Sequence, residues 1–349
     1  MSLIFCDRPF LHTHVLADGE VICHCLPELY FNEDGTRTMS MGNLQNVNSF
    51  SDIWYGEKYQ ELRKTFQKQE SRYKEFCQSC PLHYNINIEN NSFNNVSQLL
   101  ETVNINENFR SPRYVQLELT TKCVYNCSVC HRVIAPEKTL PRGDMSKEIF
   151  EKFLSGMTSD TKIIITFGQG ESLANKNYFY FCERIKEKLL EVQLRACTNM
   201  WYVNTEEKLK RFLNCGLSVI EIAFFATNEA EFFEYYKIKG FDRVLKNIEM
   251  LCNLRDQMEN PPLLIWKYIL FKWNDSEKSL NFLYNKSREL NIPVEIATTI
   301  TPEDGYSRKY IQDSEPYKKL IKRFNAIELR SYVQNTNSKK YINQNKKVI

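Results

Sequence analysis

Residues 114–131 read YVQLELTTKCVYNCSVCH, an apolar strand-like run followed by three closely spaced cysteines. The cysteines are Cys123, Cys127 and Cys130, in the spacing C-x3-C-x2-C. An odd number of thiols in so short a loop suits a metal centre better than disulfide pairing, and three thiols leave one position of a four-iron cluster unfilled. The alternatives are buried structural thiols or a zinc ion completed by His131. Zinc fits less well, because adjacent ligands such as Cys130 and His131 are awkward around one tetrahedral ion.

The composition is that of an ordinary soluble globular protein. The chain has 349 residues, of which 42% are hydrophobic and 26% charged, and its net charge is +3. This charge favours neither nucleic acid nor a membrane surface as a partner. No apolar run approaches the about 18 residues of a membrane span, and the N-terminus lacks the basic and apolar segments of a signal peptide. We therefore expect a cytoplasmic protein with no membrane partner and no clear nucleic-acid partner.

The twelve cysteines are distributed unevenly. Because a cytoplasmic protein rarely forms disulfides, clustered cysteines in it indicate metal binding. Besides the trio, the N-terminal part contains Cys6, Cys23, Cys25, Cys77 and Cys80. The other four are scattered through apolar segments, where free cysteines usually serve as small core residues: Cys182, Cys197, Cys215 and Cys252.

From about residue 111, short apolar runs alternate with amphipathic helical segments. The predicted strands are 114–119, 162–168, 192–198, 217–226, 263–271 and 293–299. Such alternation predicts an α/β fold of βα units with a parallel sheet. Because six units fall short of a closed eight-fold barrel, we expect an open, partial (β/α)6 TIM-like barrel. Chemistry in such barrels gathers at the C-terminal ends of the strands, which is where the cysteine trio lies.

The flanking regions differ from this core. Residues 1–90 contain the first two cysteine groups, a hairpin with its turn at Asp18-Gly19, and one helix over 48–66. The Asn-rich residues 91–110 are expected to form a linker, and 111–300 the barrel. Residues 301–349 carry 11 Lys and Arg against 5 Asp and Glu. They predict a helix around 316–333 followed by a basic tail.

Two further motifs lie at predicted strand ends. The stretch IIITFGQGESL places Gly168, Gly170 and Glu171 in a βα loop, where glycine permits close approach of a ligand and a carboxylate can pair with an ammonium group. The stretch ACTNM places Thr198 and Asn199 at the end of the next strand. Each motif alone is also compatible with an ordinary turn.

Together the three motifs resemble those of the radical S-adenosylmethionine (SAM) enzymes, over residues 111 to about 300. The resemblance implies that the cysteine trio binds a 4Fe–4S cluster whose open iron is chelated by SAM. It also implies that the GQGE segment, with Gly168, Gly170 and Glu171, holds the methionyl amine, and that Thr198 and Asn199 correspond to the family's Thr-Asn-Gly turn. Three positions depart from the family: Val129 replaces an aromatic residue, Ser172 replaces the proline of Glu-Pro-Leu, and Ala223 stands where many relatives have serine.

The N-terminal region resembles the SPASM/Twitch cysteine modules of the same enzymes, here placed before the barrel. The shared features are a DG turn before a cysteine, a GN pair before an IW helix, and the CQSC pair formed by Cys77 and Cys80. The resemblance implies an auxiliary 4Fe–4S cluster held by Cys6, Cys77, Cys80 and one of Cys23 and Cys25. A zinc knuckle of the same thiols is the alternative, since four thiolates suit both metals.

The resemblance implies a radical SAM oxidoreductase. Such an enzyme reductively cleaves SAM to a 5′-deoxyadenosyl radical and abstracts hydrogen from its substrate, here a peptide residue or a sugar-like molecule. It also implies an electron donor such as flavodoxin or ferredoxin. The alternatives are an epimerase or isomerase that returns hydrogen from a thiol, and a non-enzymatic zinc-binding interaction module. The sequence does not name the catalytic residues or the substrate.

Overall fold

The computed structural model describes residues 2–23, 39–67, 72, 73, 75, 77, 80, 84–87, 110–134, 136, 143–299 and 305–329. Cys25, most of the predicted linker over 91–110 and the predicted basic tail beyond 329 lie outside the described residues.

A ten-stranded sheet forms the centre of the described structure, and a separate antiparallel pair consists of β1 and β5. The strands are β1 (Ser2–Phe5), β2 (His12–Val15), β3 (Glu20–Ile22), β4 (Ser40–Asn43), β5 (Tyr84–Asn87), β6 (Tyr114–Leu117), β7 (Ile163–Ile165), β8 (Gln193–Thr198), β9 (Val219–Ala223), β10 (Leu263–Leu270), β11 (Val294–Thr298) and β12 (Ile327–Leu329). In the large sheet they follow the order β12-β11-β10-β9-β8-β7-β6-β2-β3-β4.

Eleven α-helices lie between the described strands along the chain. They are α1 (Arg8–Leu11), α2 (Phe50–Trp54), α3 (Glu57–Gln67), α4 (His131–Ile134), α5 (Lys147–Ser155), α6 (Tyr178–Lys188), α7 (Glu206–Asn214), α8 (Glu229–Tyr236), α9 (Phe241–Arg255), α10 (Glu277–Glu289) and α11 (Glu315–Phe324). Short 3-10 helices span Leu44–Asn46 and Ser172–Ala174. None of the described helices combines the length and the apolar composition needed to cross a membrane.

The six predicted core strands are all present as β6 to β11, and they pair in parallel in sequence order. The sheet has edges at β12 and β4 rather than closing on itself. The predicted α/β fold with a partial TIM-like barrel is thus confirmed. The parallel run is longer than predicted, because β2 pairs in parallel with β6 and β12 with β11.

The N-terminal region is joined to the barrel through this sheet. The predicted hairpin is present as β2 and β3, and Gly19 occupies its turn with a φ of +85° that favours glycine. Phe50 on α2 packs edge-on against Phe153 on α5 at a centroid distance of 6.1 Å. The single helix predicted over 48–66 is instead two helices, α2 and α3, which meet at Gly56.

The helix predicted around 316–333 ends much earlier, at Phe324. Asn325 takes a left-handed conformation with a φ of +47°, which terminates α11. The residues that follow form β12 and pair with β11. Amphipathic periodicity did not distinguish this last strand from the helix before it.

Three of the four scattered cysteines are buried core residues, as predicted: Cys182, Cys215 and Cys252. Cys197 is the exception, because it is only half-buried and lies on β8. Its surroundings belong to the barrel interior described below.

Candidate metal centre and cofactor site

The cysteine trio occupies the loop between β6 and α4, at the carboxyl end of the first core strand. Cys130 N–H donates a 3.0 Å hydrogen bond to the Cys127 carbonyl, and the Cys130 carbonyl accepts from the N–H groups of Val133 and Ile134 in α4. The three thiols are all half-buried. The loop therefore presents three partly accessible sulfur atoms at the end of the barrel where chemistry is expected.

The thiols of the trio lie within electrostatic reach of one another. Burial raises the pKa of Cys127, and the neighbouring Cys123 and Cys130 raise it further. Among the described residues, no three Cys, His, Asp or Glu side chains converge closely enough to share a single metal ion. A four-iron cluster binds each thiolate through a different iron, so its ligands need not meet at one point. The three adjacent thiols therefore fit a 4Fe–4S cluster.

Helix α8 holds the cysteine loop in place. The backbone N–H groups of Asn126 and Ser128 donate to the carbonyls of Tyr236 and Tyr235, at 3.3 and 3.0 Å. Directly before them in sequence, Tyr125 packs its ring against that of Tyr236 at a centroid distance of 4.6 Å. These carbonyls belong to the last turn of α8, so the loop satisfies groups that a helix end leaves unpaired.

The second motif packs directly against the backbone of the cysteine loop. Glu171 N–H donates a 2.8 Å hydrogen bond to the Lys122 carbonyl. A Cβ atom at Gly170 would overlap the Thr120 carbonyl oxygen and would lie 2.9 Å from that of Lys122. A Cβ atom at Gly168 would overlap the Glu118 carboxylate. Both glycines are thus required by the close approach of two loops.

The Glu171 carboxylate lies in a buried, hydrogen-bonded position. Its Oε2 accepts a 2.8 Å hydrogen bond from Asn199 N–H, and its Oε1 accepts one of 3.4 Å from Leu173 N–H. Burial raises the pKa of Glu171 to about 7, although hydrogen bonds from Asn199, Thr198 and Leu173 oppose the shift. A carboxylate that is costly to ionise here is stabilised by a cation placed beside it.

The third motif connects Glu171 to the cysteine trio. Asn199 lies at the end of β8, where its Nδ2 is 3.7 Å from Cys123 Sγ and its backbone N–H bonds Glu171. Thr198 Oγ1 accepts from Met200 N–H at 3.0 Å and so closes the turn. The structure thus brings together the trio, Gly168, Gly170, Glu171, Thr198 and Asn199. Their assignment as cluster and SAM ligands stays a prediction.

The N-terminal thiols form a second neighbourhood. Burial raises the pKa of Cys23, and the charges of Cys77 and Cys80 raise it further. Burial and the charge of Asp7 raise the pKa of Cys6, and the charge of Cys23 raises it further. Four thiols lying this close suit an auxiliary cluster. Of the two candidates for the fourth position, Cys23 lies in this group, whereas Cys25 is outside the described residues.

Sequence reasoning missed two features of the site. One is the contact of α8 with the cysteine loop, for which the sequence carries no motif. The other is a set of charged side chains inside the barrel, which includes Glu221, Lys267 and Glu295. A signal existed for the second feature, since each of these residues is a lone charge within an apolar strand.

Two family matches cover more than half of the chain. Residues 117–256 match the radical SAM superfamily, and residues 6–81 match SPASM, an iron–sulfur cluster-binding domain. No curated protein matches the sequence. The family matches indicate an enzyme and not a zinc-binding interaction module.

Several solved structures are similar at low sequence identity. SuiB of Streptococcus suis, bound to SAM, is 13% identical over 95% of this chain and 72% of its own, with a TM-score of 0.39. HydG of Carboxydothermus hydrogenoformans, an FeFe-hydrogenase maturase, is 14% identical over 60% of this chain and 50% of its own, with a TM-score of 0.45.

BtrN, in complex with SAM and 2-DOIA, is 16% identical over 45% of this chain, with a TM-score of 0.34, and the present chain spans only 56% of its length. The family assignment rests on the two sequence matches. The chain belongs to the radical SAM superfamily and carries an N-terminal SPASM domain, which together imply a SAM-binding 4Fe–4S cluster, SAM itself and an auxiliary iron–sulfur cluster.

Proposed function

We propose that this enzyme is a radical SAM oxidoreductase that abstracts a hydrogen atom from a peptide residue or a sugar-like substrate. The observation that carries the proposal is the contact chain from Cys123 through Asn199 to Glu171. It places a carboxylate beside a set of three thiols that leaves one iron of a four-iron cluster without a cysteine. The amino group of an amino acid chelated to that iron would donate an N–H hydrogen bond to Glu171.

Different residues of the site would bind the cluster and SAM. Cys123, Cys127 and Cys130 would hold the first cluster, and the Glu171 carboxylate would accept a hydrogen bond from the methionyl amino group. Gly170 keeps the space between the two loops free of side chains. Asn199 orients Glu171 through its backbone N–H. When bound, the clusters and SAM supply a hydrogen-abstracting radical and an acceptor for the electron that net oxidation releases.

The N-terminal thiols support the oxidoreductase assignment. Cys6, Cys23, Cys77 and Cys80 lie in one neighbourhood, and four thiolates would complete a cluster that has no open site for SAM. A radical SAM enzyme also needs an electron donor, and we propose flavodoxin or ferredoxin for this role. The exposed Val133 and Ile134 of α4, three and four residues after Cys130, offer such a protein an apolar contact surface.

A second candidate function is epimerisation or isomerisation with hydrogen return from a thiol. The observation that favours it is the position of Cys197, half-buried on β8 and within electrostatic reach of Glu171. Hydrogen return leaves the substrate at its original oxidation level. Product analysis with deuterium therefore separates the two functions: an epimerised product gains a solvent deuteron from the thiol, whereas an oxidised product loses two electrons and gains no deuteron.

Replacement of Cys123, Cys127 and Cys130 by alanine together tests the proposal. The wild-type protein, reconstituted without oxygen, should contain about eight irons per chain as two four-iron clusters. The triple variant should lose about half of this iron and all formation of 5′-deoxyadenosine. A matched control replaces the buried Cys182 and Cys252 by alanine and should keep the full iron content. Unchanged SAM cleavage by the triple variant would refute the assignment.

A further inference from the structure

Four charged side chains form a cluster on one face of the parallel sheet, one from each of four neighbouring strands. They are Arg195 on β8, Glu221 on β9, Lys267 on β10 and Glu295 on β11. Arg195 Nη2 lies 2.6 Å from Glu221 Oε1, and Lys267 Nζ lies 2.9 Å from Glu221 Oε2. Lys267 Nζ also lies 3.6 Å from Glu295 Oε1. We call these four residues the interior cluster.

The interior cluster lies on the face of the sheet that lines the barrel. Side chains alternate between the two faces of a strand, and the neighbours of the cluster residues along their strands are apolar and buried: Leu194, Ala196, Ile220, Ile222, Trp266, Tyr268, Val294 and Ile296. Phe241 on α9 stacks on Phe224, which contacts Trp266, so the apolar face is the helix-covered one. The charged face therefore points into the barrel.

One carboxylate of the interior cluster is incompletely paired. Glu221 accepts hydrogen bonds from two cations, Arg195 and Lys267. Glu295 is only 5% exposed, and within the described part of the chain its Oε1 makes no hydrogen bond and only the 3.6 Å ion pair with Lys267. Arg195 Nε, at the other end, also has no hydrogen-bond partner among the described residues. A buried carboxylate oxygen without a hydrogen bond is costly, so a purely structural network does not explain this arrangement.

The interior of a packed βα barrel is normally filled by branched apolar side chains. Here a buried acceptor, Glu295 Oε1, and a donor, Arg195 Nε, face the same interior. Burial raises the pKa of Glu295, and the charge of Arg195 opposes this shift. The formal charges of the four residues cancel, so the cluster does not attract an anion such as phosphate. A carboxylate oxygen that has only a long ion pair can still accept a hydrogen bond, and it bonds most strongly with a charged donor. These features favour a ligand group that bears an ammonium ion.

The interior cluster lies next to the predicted cofactor site. Cys197 shares the inner face of β8 with Arg195, two residues away. Burial raises the pKa of Cys197 to about 12, while Lys267 lowers it and Glu221, Glu171 and Glu295 raise it. Cys197 thus lies within electrostatic reach of both Glu171 and the interior cluster. A ligand held by Glu295 would lie on the inner face of the sheet, which Cys197 also occupies.

We propose that the interior cluster is a substrate subsite that binds a primary amine, with its ammonium group on Glu295 Oε1. The inference rests on the proposed function, which it refines by naming the chemical class of the substrate. Amino sugars and amino acid amides share this chemistry. Lys267 is the positioning residue, because it holds Glu221 and Glu295 in the same array.

The test measures binding of small amines to the anaerobically reconstituted full chain with SAM present. The probes are glucosamine and glycinamide, each compared with its N-acetyl derivative, and binding is followed by line broadening of the probe in NMR spectra. At least one amine should bind the wild-type protein, and its N-acetyl derivative should not. Glu295→Gln should weaken that binding at least about tenfold, the loss expected for one charged hydrogen bond.

Glu249→Gln is the matched control, because Glu249 pairs with Lys286 at 3.0 Å away from the interior cluster, and it should bind the amine like the wild type. If Glu295→Gln does not fold, Glu295→Asp replaces it in the test. Its shorter side chain keeps the charge but moves it away from the ligand, so amine binding should weaken to the same extent. The proposal is overturned if neither amine binds the wild type, if the N-acetyl derivatives bind equally well, or if the Glu295 variants bind unchanged.

The same samples separate this proposal from the proposed function. Formation of 5′-deoxyadenosine without added amine should be equal in the wild type and Glu295→Gln. The reason is that the substitution changes neither the cysteine trio nor the contacts of Glu171. If SAM is cleaved but no amine binds, the subsite is wrong and the function stands. If an amine binds as described but SAM is never cleaved, the function is wrong and the subsite stands.

Discussion

Asn199 N–H donates a 2.8 Å hydrogen bond to Glu171 Oε2, which ties the end of β8 to the loop that follows β7. The side chain of the same Asn199 lies 3.7 Å from Cys123 Sγ. One residue therefore connects a buried carboxylate with a thiol from the loop after β6. This arrangement makes the role of Glu171 directly testable.

Glu171→Ala should weaken SAM binding while both clusters remain intact. A hydrogen bond from the amino group of SAM to the charged carboxylate contributes about 1.5–3 kcal/mol, so the dissociation constant should rise roughly ten- to a hundredfold. Calorimetry on the reconstituted protein measures the affinity, and iron analysis verifies the clusters. Equal affinity in the variant would mean that the backbone at Gly170 holds SAM without the carboxylate.

The pH dependence of SAM binding follows from the raised pKa of Glu171. Burial raises that pKa to about 7, and the ionised carboxylate accepts the N–H hydrogen bonds of SAM more strongly than the protonated form. Below pH 7, SAM binding must therefore remove the proton of Glu171, so the wild-type affinity should rise about tenfold more per pH unit than that of Glu171→Gln. Above pH 7 the two slopes should be equal. Equal slopes from pH 5.5 to 8 would contradict the assignment.

The same shift affects the stability of the ligand-free protein in the opposite direction. Because the folded state binds the Glu171 proton more tightly than the unfolded state, this contribution to the free energy of unfolding is fully present below pH 4.5. It is lost as the pH rises to about 7. Denaturant titrations of the wild type and Glu171→Gln isolate it, since only the wild type should lose this increment.

Tyr236→Phe should loosen the contact between α8 and the barrel. The Tyr236 hydroxyl accepts from Phe225 N–H at 3.1 Å and donates to the Ala223 carbonyl at 2.9 Å. Its removal leaves two buried backbone groups without their partner, which should lower the free energy of unfolding by about 1–3 kcal/mol. Because the Tyr236 carbonyl also accepts from Asn126 in the cysteine loop, the electron paramagnetic resonance spectrum of the first cluster should change as well.

Tyr180→Phe is the control for this substitution. Its hydroxyl donates a 2.7 Å hydrogen bond to Glu151 at the protein surface, so its removal should cost little stability and leave the spectrum unchanged. If Tyr236→Phe also left the spectrum unchanged, α8 would support the fold without influencing the first cluster.

The sequence predicted those parts of the fold that depend on local periodicity. The six core strands and the cysteine loop after the first of them each have their own pattern in the sequence. The pairing of β2 with β6 was not predictable in this way, because His12 and Tyr114 are about one hundred residues apart and either strand could have paired elsewhere. The same applies to the contact between Tyr236 and Asn126, which depends on backbone groups that every residue carries.

The interior cluster is an intermediate case. Glu221, Lys267 and Glu295 each interrupt an apolar strand, and this interruption was visible in the sequence. The sequence does not reveal which face of the sheet they occupy or that they meet. Both follow only from the register, which places Lys267 beside Glu295. A lone charge in a buried strand is therefore a useful indicator of a barrel-lining residue, but its partners come from the register.

The last prediction concerns the auxiliary cluster. Cys77→Ala combined with Cys80→Ala should halve the iron content, abolish substrate conversion and preserve cleavage of SAM to 5′-deoxyadenosine. The reason is that the two thiol groups have separate tasks. The charges of Cys77 and Cys80 raise the pKa of Cys23. Those of Cys123 and Cys130 raise the pKa of Cys127. A site closed by four thiolates can accept an electron or support the fold, but it has no position for SAM.

Loss of a metal site can also unfold a small region, so melting temperature and residual iron must be measured on the same sample. The triple variant of Cys123, Cys127 and Cys130 is the reciprocal control: it should keep the auxiliary cluster and lose all SAM cleavage. A folded Cys77/Cys80 double variant that converts substrate at the wild-type rate would rule out an electron-accepting role for the N-terminal thiols. Loss of SAM cleavage in that folded variant would instead show that the two thiol groups do not act separately.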